Sequence, residues 1–415
     1  MARLKRFQKL TAVEDALSIF FREMPAKKLS ITTVSLDSAL GRVLAEALTA
    51  EEDLPRVDRS AVDGYAVRAE DTVDASQFKP KLFALKDKDE IARGHTRQLW
   101  TGNSIPKGTD AVIMLENTKR ATDKIEVWMP LAPGDNVSKK GEDLRKGEIA
   151  LEAGVRLRPQ HLGLMAALGV TEVKVFEKPK IAILTTGNEL AEAGHNRGKD
   201  QVFDVNGHVV SAMCRELGAE PLSLGIAGDN AEQITAKLEE GLAADAAITT
   251  GGTSVGASDL VPEMVSKLGK PGVIVHGVAM RPAMPTALAI VNGKPVVILS
   301  GNPVAAIIGF EVFARPLICR LSGLGREESR PLLNARMTRK VVTALGRKTF
   351  VRVRVLKKDG EFLAEPVSAK GSGVISTMTR ANGYVVVPEN REGLAGGEAV
   401  VVHLFDTVDE VGSNV

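Results

Sequence analysis

Residues 248–259 read Ile-Thr-Thr-Gly-Gly-Thr-Ser-Val-Gly-Ala-Ser-Asp. An apolar run with strand character passes directly into a loop rich in glycine and hydroxyl groups and closed by a carboxylate. Gly251, Gly252 and Gly256 carry no side chain, so the backbone can turn sharply and aim several N–H groups at one point, as anion-binding nests do. Thr253 and Ser254 add rotatable hydroxyl donors, and Asp259 is placed to bind a cation or orient a water. An ordinary tight turn after a buried strand is the alternative reading of the same residues.

Working outward, the stretch 179–320 alternates strand and helix. Strands are expected at 181–184, 221–226, 246–250, 273–275, 287–291 and 296–299. Helices are expected at 205–217, 230–242 (capped by Asp229, with Glu232 three residues on), near 260–268 and from about Val304. This order predicts a central doubly wound α/β domain. Ligands of open α/β sheets lie outside the carboxyl ends of the strands. Three loops meet that rule with polar residues: 185–189, 251–259 and 300–303.

The flanks follow other periods. From Thr11 to Met24 the order Thr-x-x-Glu followed by an apolar stripe predicts a capping box and an amphipathic helix, with a second helix over 37–48. Residues 54–137 carry short apolar runs punctuated by Pro and Gly, a β-rich inserted domain. Pro159 suits the first position of a helix that runs through Leu168 and stops at Gly169. Past Gly325 the period is two, clearest in Thr349-Phe-Val-Arg-Val-Arg-Val355, so a small C-terminal β domain, barrel or sandwich, is expected. The fold class is thus multidomain α/β and β, with domains at 1–53 plus 138–178 (helical or mixed), 54–137, 179–325 and 326–415.

Composition narrows the function. The chain has 415 residues, 44% hydrophobic and 26% charged, as a globular protein does. A formal charge of +2 from 54 basic and 52 acidic residues gives no field to favour nucleic acid or a membrane surface, so a small-molecule partner fits better. Cys214 and Cys319 are far apart and lack metal-ligand spacing, which points to buried thiols in a reducing cytoplasm. The basic start lacks the apolar run of a secretory signal, and the apolar stretches near 295–299 and 303–319 are broken before membrane-spanning length.

Four segments in order carry a resemblance: Ser60-Ala-Val-Asp-Gly-Tyr-Ala66, Thr185-Thr-Gly-Asn-Glu-Leu190, Thr250-Gly-Gly-Thr-Ser-Val-Gly256 and Ser300-Gly-Asn-Pro-Val304. Together they resemble the molybdopterin molybdenumtransferase family, MoeA in bacteria and the E domain of gephyrin in animals. The resemblance implies an elongated homodimer of four-domain subunits whose α/β domain binds the pterin. It implies insertion of molybdate into adenylylated molybdopterin with release of AMP and help from Mg2+, downstream of a molybdopterin adenylyltransferase.

The matched positions receive roles from that resemblance. Asp63 is similar to a substrate-site aspartate facing the other subunit's cleft, Thr101 to a threonine of the same region and Asp143 to another acidic position. A turn cap, a turn-stabilising hydroxyl and a solvated loop charge are their respective alternatives. Glu189, Asp229 and Asp259 come from three loops at one sheet edge and suit a hard cation such as Mg2+; Asp229 is equally a helix cap. Gly251, Gly252, Thr253, Ser254, Asn302 and Pro303 would hold phosphate or pterin, and Arg281, Pro285, Arg352 and Ser376 the oxyanion.

The match has gaps. The family's Lys-Pro-Gly-Lys-Pro run stands here as Arg281-Pro-Ala-Met-Pro285, so Met284 replaces a lysine, and Ala305 replaces a frequent serine. Asn188 replaces an acidic residue and Ser300 a proline. Fewer charged donors should weaken molybdate binding. A paralogue or scaffold that keeps the pterin pocket but has lost insertion is therefore a second reading. A kinase using 251–259 as its phosphate loop is a further one, against which the missing G-x-x-x-x-G-K-[ST] counts.

Overall fold

The computed structural model describes residues 10–26, 29–252, 260–326, 328–367 and 371–410. The chain divides into two compact units, Thr33–Val175 and Met1–Thr32 together with Phe176–Val415.

In the larger unit a six-stranded sheet is built from β1 (Lys180–Thr186), β2 (Glu220–Ala227), β3 (Ala246–Thr250), β4 (Pro271–His276), β5 (Ala287–Val291) and β6 (Lys294–Leu299), in the order β2-β1-β3-β6-β5-β4. The first four in that order are parallel, and β5 runs antiparallel to both neighbours. Because side chains alternate along a strand, Ile181, Ile183, Ile248 and Val297 pack on one face with α1 (Val13–Glu23) and α2 (Asn206–Glu216). Ala182, Leu184, Ala247 and Val296 pack on the other with α3 (Ala231–Gly241) and α4 (Leu260–Leu268). Helices on both faces make the sheet doubly wound, as expected; the antiparallel β5 is what the strand pattern did not reveal.

After β6 the chain enters α5 (Pro303–Gly309), a π-helical turn at Phe310–Ala314 and α6 (Arg315–Leu321). The π turn carries Glu311, whose buried carboxylate accepts from Arg315 Nε at 2.8 Å and Arg330 Nη2 at 2.7 Å, while Arg330 Nη1 reaches Glu216 at 2.7 Å. Burial pushes the Glu311 carboxyl up, but hydrogen bonds from Arg330 and Arg315 outweigh it and hold the group below the usual glutamate range.

The C-terminal strands β7 (Leu332–Met337), β8 (Lys348–Lys358), β9 (Glu361–Pro366), β10 (Gly383–Val387) and β11 (Ala399–Leu404) close into a barrel, β8-β9-β7-β11-β10-β8. Val353, Val355, Val385, Val387 and Val402 fill it. The long β8 serves both ends of the closure, pairing with β10 over Thr349–Val353 and with β9 over Val353–Lys358. Each half of β8 has one further side, covered by two-residue strands: Met280–Arg281 pairs with Lys348 and Thr349, and Asp409–Glu410 with Leu356 and Lys357.

The smaller unit holds a second six-stranded sheet, in the order Ala111–Met114, Gly64–Val67, His95–Leu99, Lys81–Leu85, Lys124–Val127, Thr118–Ala121, around Tyr65, Phe83, Ile113 and Ile125. It also holds the helix Pro159–Ala167, followed by Gly169 at φ +77°.

Three local expectations fail for identifiable reasons. Residues 37–48 are not a helix: a 3-10 turn at Leu36–Ser38 is followed by Gly41 at φ +74° and by extended bridges from Val43 to Arg156 and Leu44 to Val175. The Thr11 capping box does not form, because the Thr11 backbone is taken by Gly277 and Ala279. The helix after β2 is capped by Asn230, which accepts from Gln233 N at 2.9 Å, and not by Asp229. Among the described residues no helix is long and apolar enough to cross a membrane.

Candidate active site

Four parallel strands deliver their carboxyl ends to one edge of the sheet, and the loops that follow are tied together. Gly187 N donates to Ala227 O at 3.0 Å, Asp229 N to Asn188 Oδ1 at 3.0 Å, and Gly251 N to Leu299 O at 3.1 Å. Asn206 Nδ2 donates to Gly301 O at 2.8 Å, and Thr185 Oγ1 to Asp204 Oδ2 at 2.9 Å. Gly251 and Gly252 adopt φ of +92° and +62°, and a Cβ on Gly251 would stand 2.3 Å from the Thr186 carbonyl oxygen. Glycine is therefore demanded here by both conformation and space. Beneath the loop, the buried Thr249 and Thr250 hydroxyls have no hydrogen-bond partner among the described residues. Thr253, Ser254 and Asp259 lie outside the described residues.

Freed from capping duty, Asp229 lies against Asn188, the residue before Glu189, whose carboxylate folds over Gly187. Among the described residues no three His, Cys, Asp or Glu side chains converge on one point. Glu189 and Asp229 stand on neighbouring loops and are the carboxylates there that could hold a hard cation together with water and substrate phosphates.

Beside this edge, and within the same unit, lies a cleft of about 590 Å³ between the loop 280–285 and the barrel. Arg281, Met284, Pro285, Asn302 and Ala305 line its sheet side, and Arg339, Lys340, Arg347 and Arg352 its barrel side. Burial pulls the Arg352 guanidinium below its usual pKa, and its Nε has no hydrogen-bond partner among the described residues. Ser376 is not a lining residue, since its Oγ accepts from Arg380 instead. Ser372 of the same loop does line the cleft, and its carbonyl accepts from Val304 N at 3.0 Å.

In the smaller unit Asp63 and Thr101 are brought together: Asp63 Oδ1 accepts from Thr101 N at 2.7 Å and from Thr101 Oγ1 at 2.8 Å. The Thr101 amide, then its hydroxyl, hold the Asp63 carboxyl below the usual aspartate range. Asp143 is exposed, and the neighbouring Lys139 and Lys140 pair with Asp58 and Asp53.

Comparison with known proteins bears on the family and the fold. Three family models match in order: "MoeA N-terminal region (domain I and II)" at residues 11–169, "Probable molybdopterin binding domain" at 182–320 and "MoeA C-terminal region (domain IV)" at 334–405. The chain is 35% identical over 385 residues to a molybdopterin molybdenumtransferase of Bacillus subtilis, covering 90% of this chain and 89% of that one. The chain belongs to the MoeA family. It is also 32% identical over 383 residues to a molybdopterin molybdenumtransferase of Haemophilus influenzae, covering 90% and 93% of the two chains. The crystal structure of a MoeA molybdopterin biosynthesis protein from Pyrococcus horikoshii matches with a TM-score of 0.78 at 32% identity, over 96% of this chain and all of the other.

Sequence reasoning passed over several residues that this MoeA-family chain places at its site. Asp204 and Asn206 pin Thr185 and Gly301, and the short Asp-Val-Asn run before α2 was the available signal. Arg339, Lys340 and Arg347 enter the cleft from the barrel and gave none, because strand and turn arginines usually face solvent.

Proposed function

We propose that this chain is a molybdopterin molybdenumtransferase that inserts molybdate into adenylylated molybdopterin and releases AMP with help from Mg2+. The observation that carries the reading is the adjacency of two unlike surfaces: strand-end loops bearing Gly251, Gly252, Asp229 and Glu189, and a cation-lined cleft holding Arg281 and Arg352. The first suits a phosphorylated pterin, the second a tetrahedral oxyanion. Glu189 and Asp229, with Asp259, would hold Mg2+, which when bound neutralises charge on pyrophosphate oxygens. Asn206 and Asp204 position the loops against which the ligand rests. Asp63 and Thr101 would serve the cleft of a partner subunit in a homodimer, and a separate adenylyltransferase would supply the activated pterin. The division into domains at 1–53 with 138–178, 54–137, 179–325 and 326–415 belongs to the same proposal.

A second reading is a pterin-binding paralogue without insertion, favoured by one observation: Met284 and Ala305 both line the cleft. Purified chain supplied with adenylylated molybdopterin, Mg2+ and graded molybdate separates the two. Molybdate-dependent AMP release with molybdenum in the product is expected. Pterin retained without release at any molybdate concentration selects the paralogue.

A further inference from the structure

Among the described residues, five cationic side chains, Arg281, Arg339, Lys340, Arg347 and Arg352, line the 590 Å³ cleft, and none of the described lining residues is a carboxylate. None of the five is ion-paired among the described residues. Elsewhere on the barrel the pattern is opposite: Lys348 pairs with Glu14, Arg354 with Asp409 at 2.7 Å and Lys357 with Glu410 at 2.8 Å. Like charges left together without counterions repel, and the repulsion is least screened at the partly buried Arg347 and Arg352. Such a cluster is relieved when an anion binds.

Fold and register set the arrangement. The two-residue strand Met280–Arg281 pairs in parallel with Lys348–Thr349, so Arg281 stands beside Thr349 across the ladder. Arg347 immediately precedes β8, next to this pairing, and lines the same cleft as Arg281. Arg339 is held in place by its Nη2, which donates to Pro366 O at 2.6 Å. The loop 280–285 contributes only Arg281 as a cation, with Met284 next to it in the cleft. Most of the positive charge thus comes from the barrel.

We propose that Arg347, with Arg339 and Lys340 beside it, is an oxyanion-binding residue of this chain: the barrel supplies the charge that Met284 does not. The inference rests on the molybdate-insertion reading only for the identity of the anion. Its chemical class is a tetrahedral dianion, held by guanidinium forks in charge-assisted hydrogen bonds.

The test is calorimetric titration of the full chain with sodium molybdate and, separately, with inorganic phosphate, at fixed ionic strength. Arg347→Gln should weaken molybdate at least about tenfold, the loss expected for one hydrogen bond to a charged group. Its melting temperature should hold, because removing an unpaired cation leaves no buried charge behind. Arg347→Lys should retain part of the affinity, and Arg354→Gln, outside the cleft, should match the parent. Adding Met284→Lys to Arg347→Gln should restore binding, and failure to do so would overturn the substitution of one wall for the other. If the parent binds molybdate and Arg347→Gln binds it equally well, the inference falls while molybdate insertion stands. If phosphate binds through Arg347 and molybdate does not bind, the inference stands and molybdate insertion falls. Binding of neither anion by the parent would end both.

Discussion

At the scale of single residues, Gly251 shows how tightly the strand-end loops are specified. A methyl group there meets a backbone oxygen of β1, and that oxygen cannot swing aside as a side chain could. Gly251→Ala should therefore lose about 1–2 kcal/mol for the left-handed backbone alone, with more from the contact. Thermal unfolding and pterin binding should decline together. Asp63 permits a subtler test, since two donors from Thr101 keep its carboxyl ionised below the ordinary aspartate range. Thr101→Val removes the hydroxyl and keeps the amide, so the carboxyl should be harder to ionise. The acid limb of the activity profile should then move to higher pH, and an unmoved limb would separate Asp63 from the titration that controls turnover. Of the site residues, those in glycine-punctuated loops were readable because their spacing is local. Arg347 and Arg339 were not, because only barrel closure and the pairing of 280–281 with 348–349 bring them to the cleft.

At the scale of elements, strands β3 and β5 were read to the residue because every position in each is buried, so both appear as unbroken apolar or hydroxyl-bearing runs. The segment 37–48 misled for the converse reason. Its apolar residues recur at helical spacing, yet they fill gaps from extended backbone on both sides of Gly41. The start of α3 gives a direct test of the corrected cap: Asn230→Ala should cost about 1 kcal/mol of stability, and Asp229→Ala should cost little while impairing cation-dependent turnover. The π turn adds a pH dependence. Glu311 is held below its unfolded value, so its contribution is complete above that unfolded value and is lost as pH falls through the folded one. Melting temperature should therefore drop on acidification below the usual glutamate range. Glu311→Gln should flatten that dependence and lower stability at neutral pH by less than the roughly 3–5 kcal/mol of a fully broken buried pair, because Glu216 still pairs with both arginines.

At the scale of the whole molecule, the order of sheet, helix and barrel was legible from the change of period along the chain. The route by which β8 closes the barrel was not, because strand pairing between distant segments leaves no local mark. The proposed homodimer makes a prediction that a self-sufficient monomer would not satisfy. Co-expressing an Asp63→Ala chain with an Asp229→Ala chain should recover AMP release that neither has alone, since one mixed cleft would be intact. Sedimentation of the parent at twice the monomer mass should accompany it.

The two-residue strands laid along β8 have a practical meaning for anyone wishing to study the C-terminal barrel in isolation. Cut free upstream of Leu332, it would lose the Met280–Arg281 cover and present unpaired amides and carbonyls to any passing strand, its own copies first. A fragment carrying that raw margin should aggregate edge to edge where the parent chain stays in solution, which makes the dipeptide a guard against aggregation as well as one wall of the cleft.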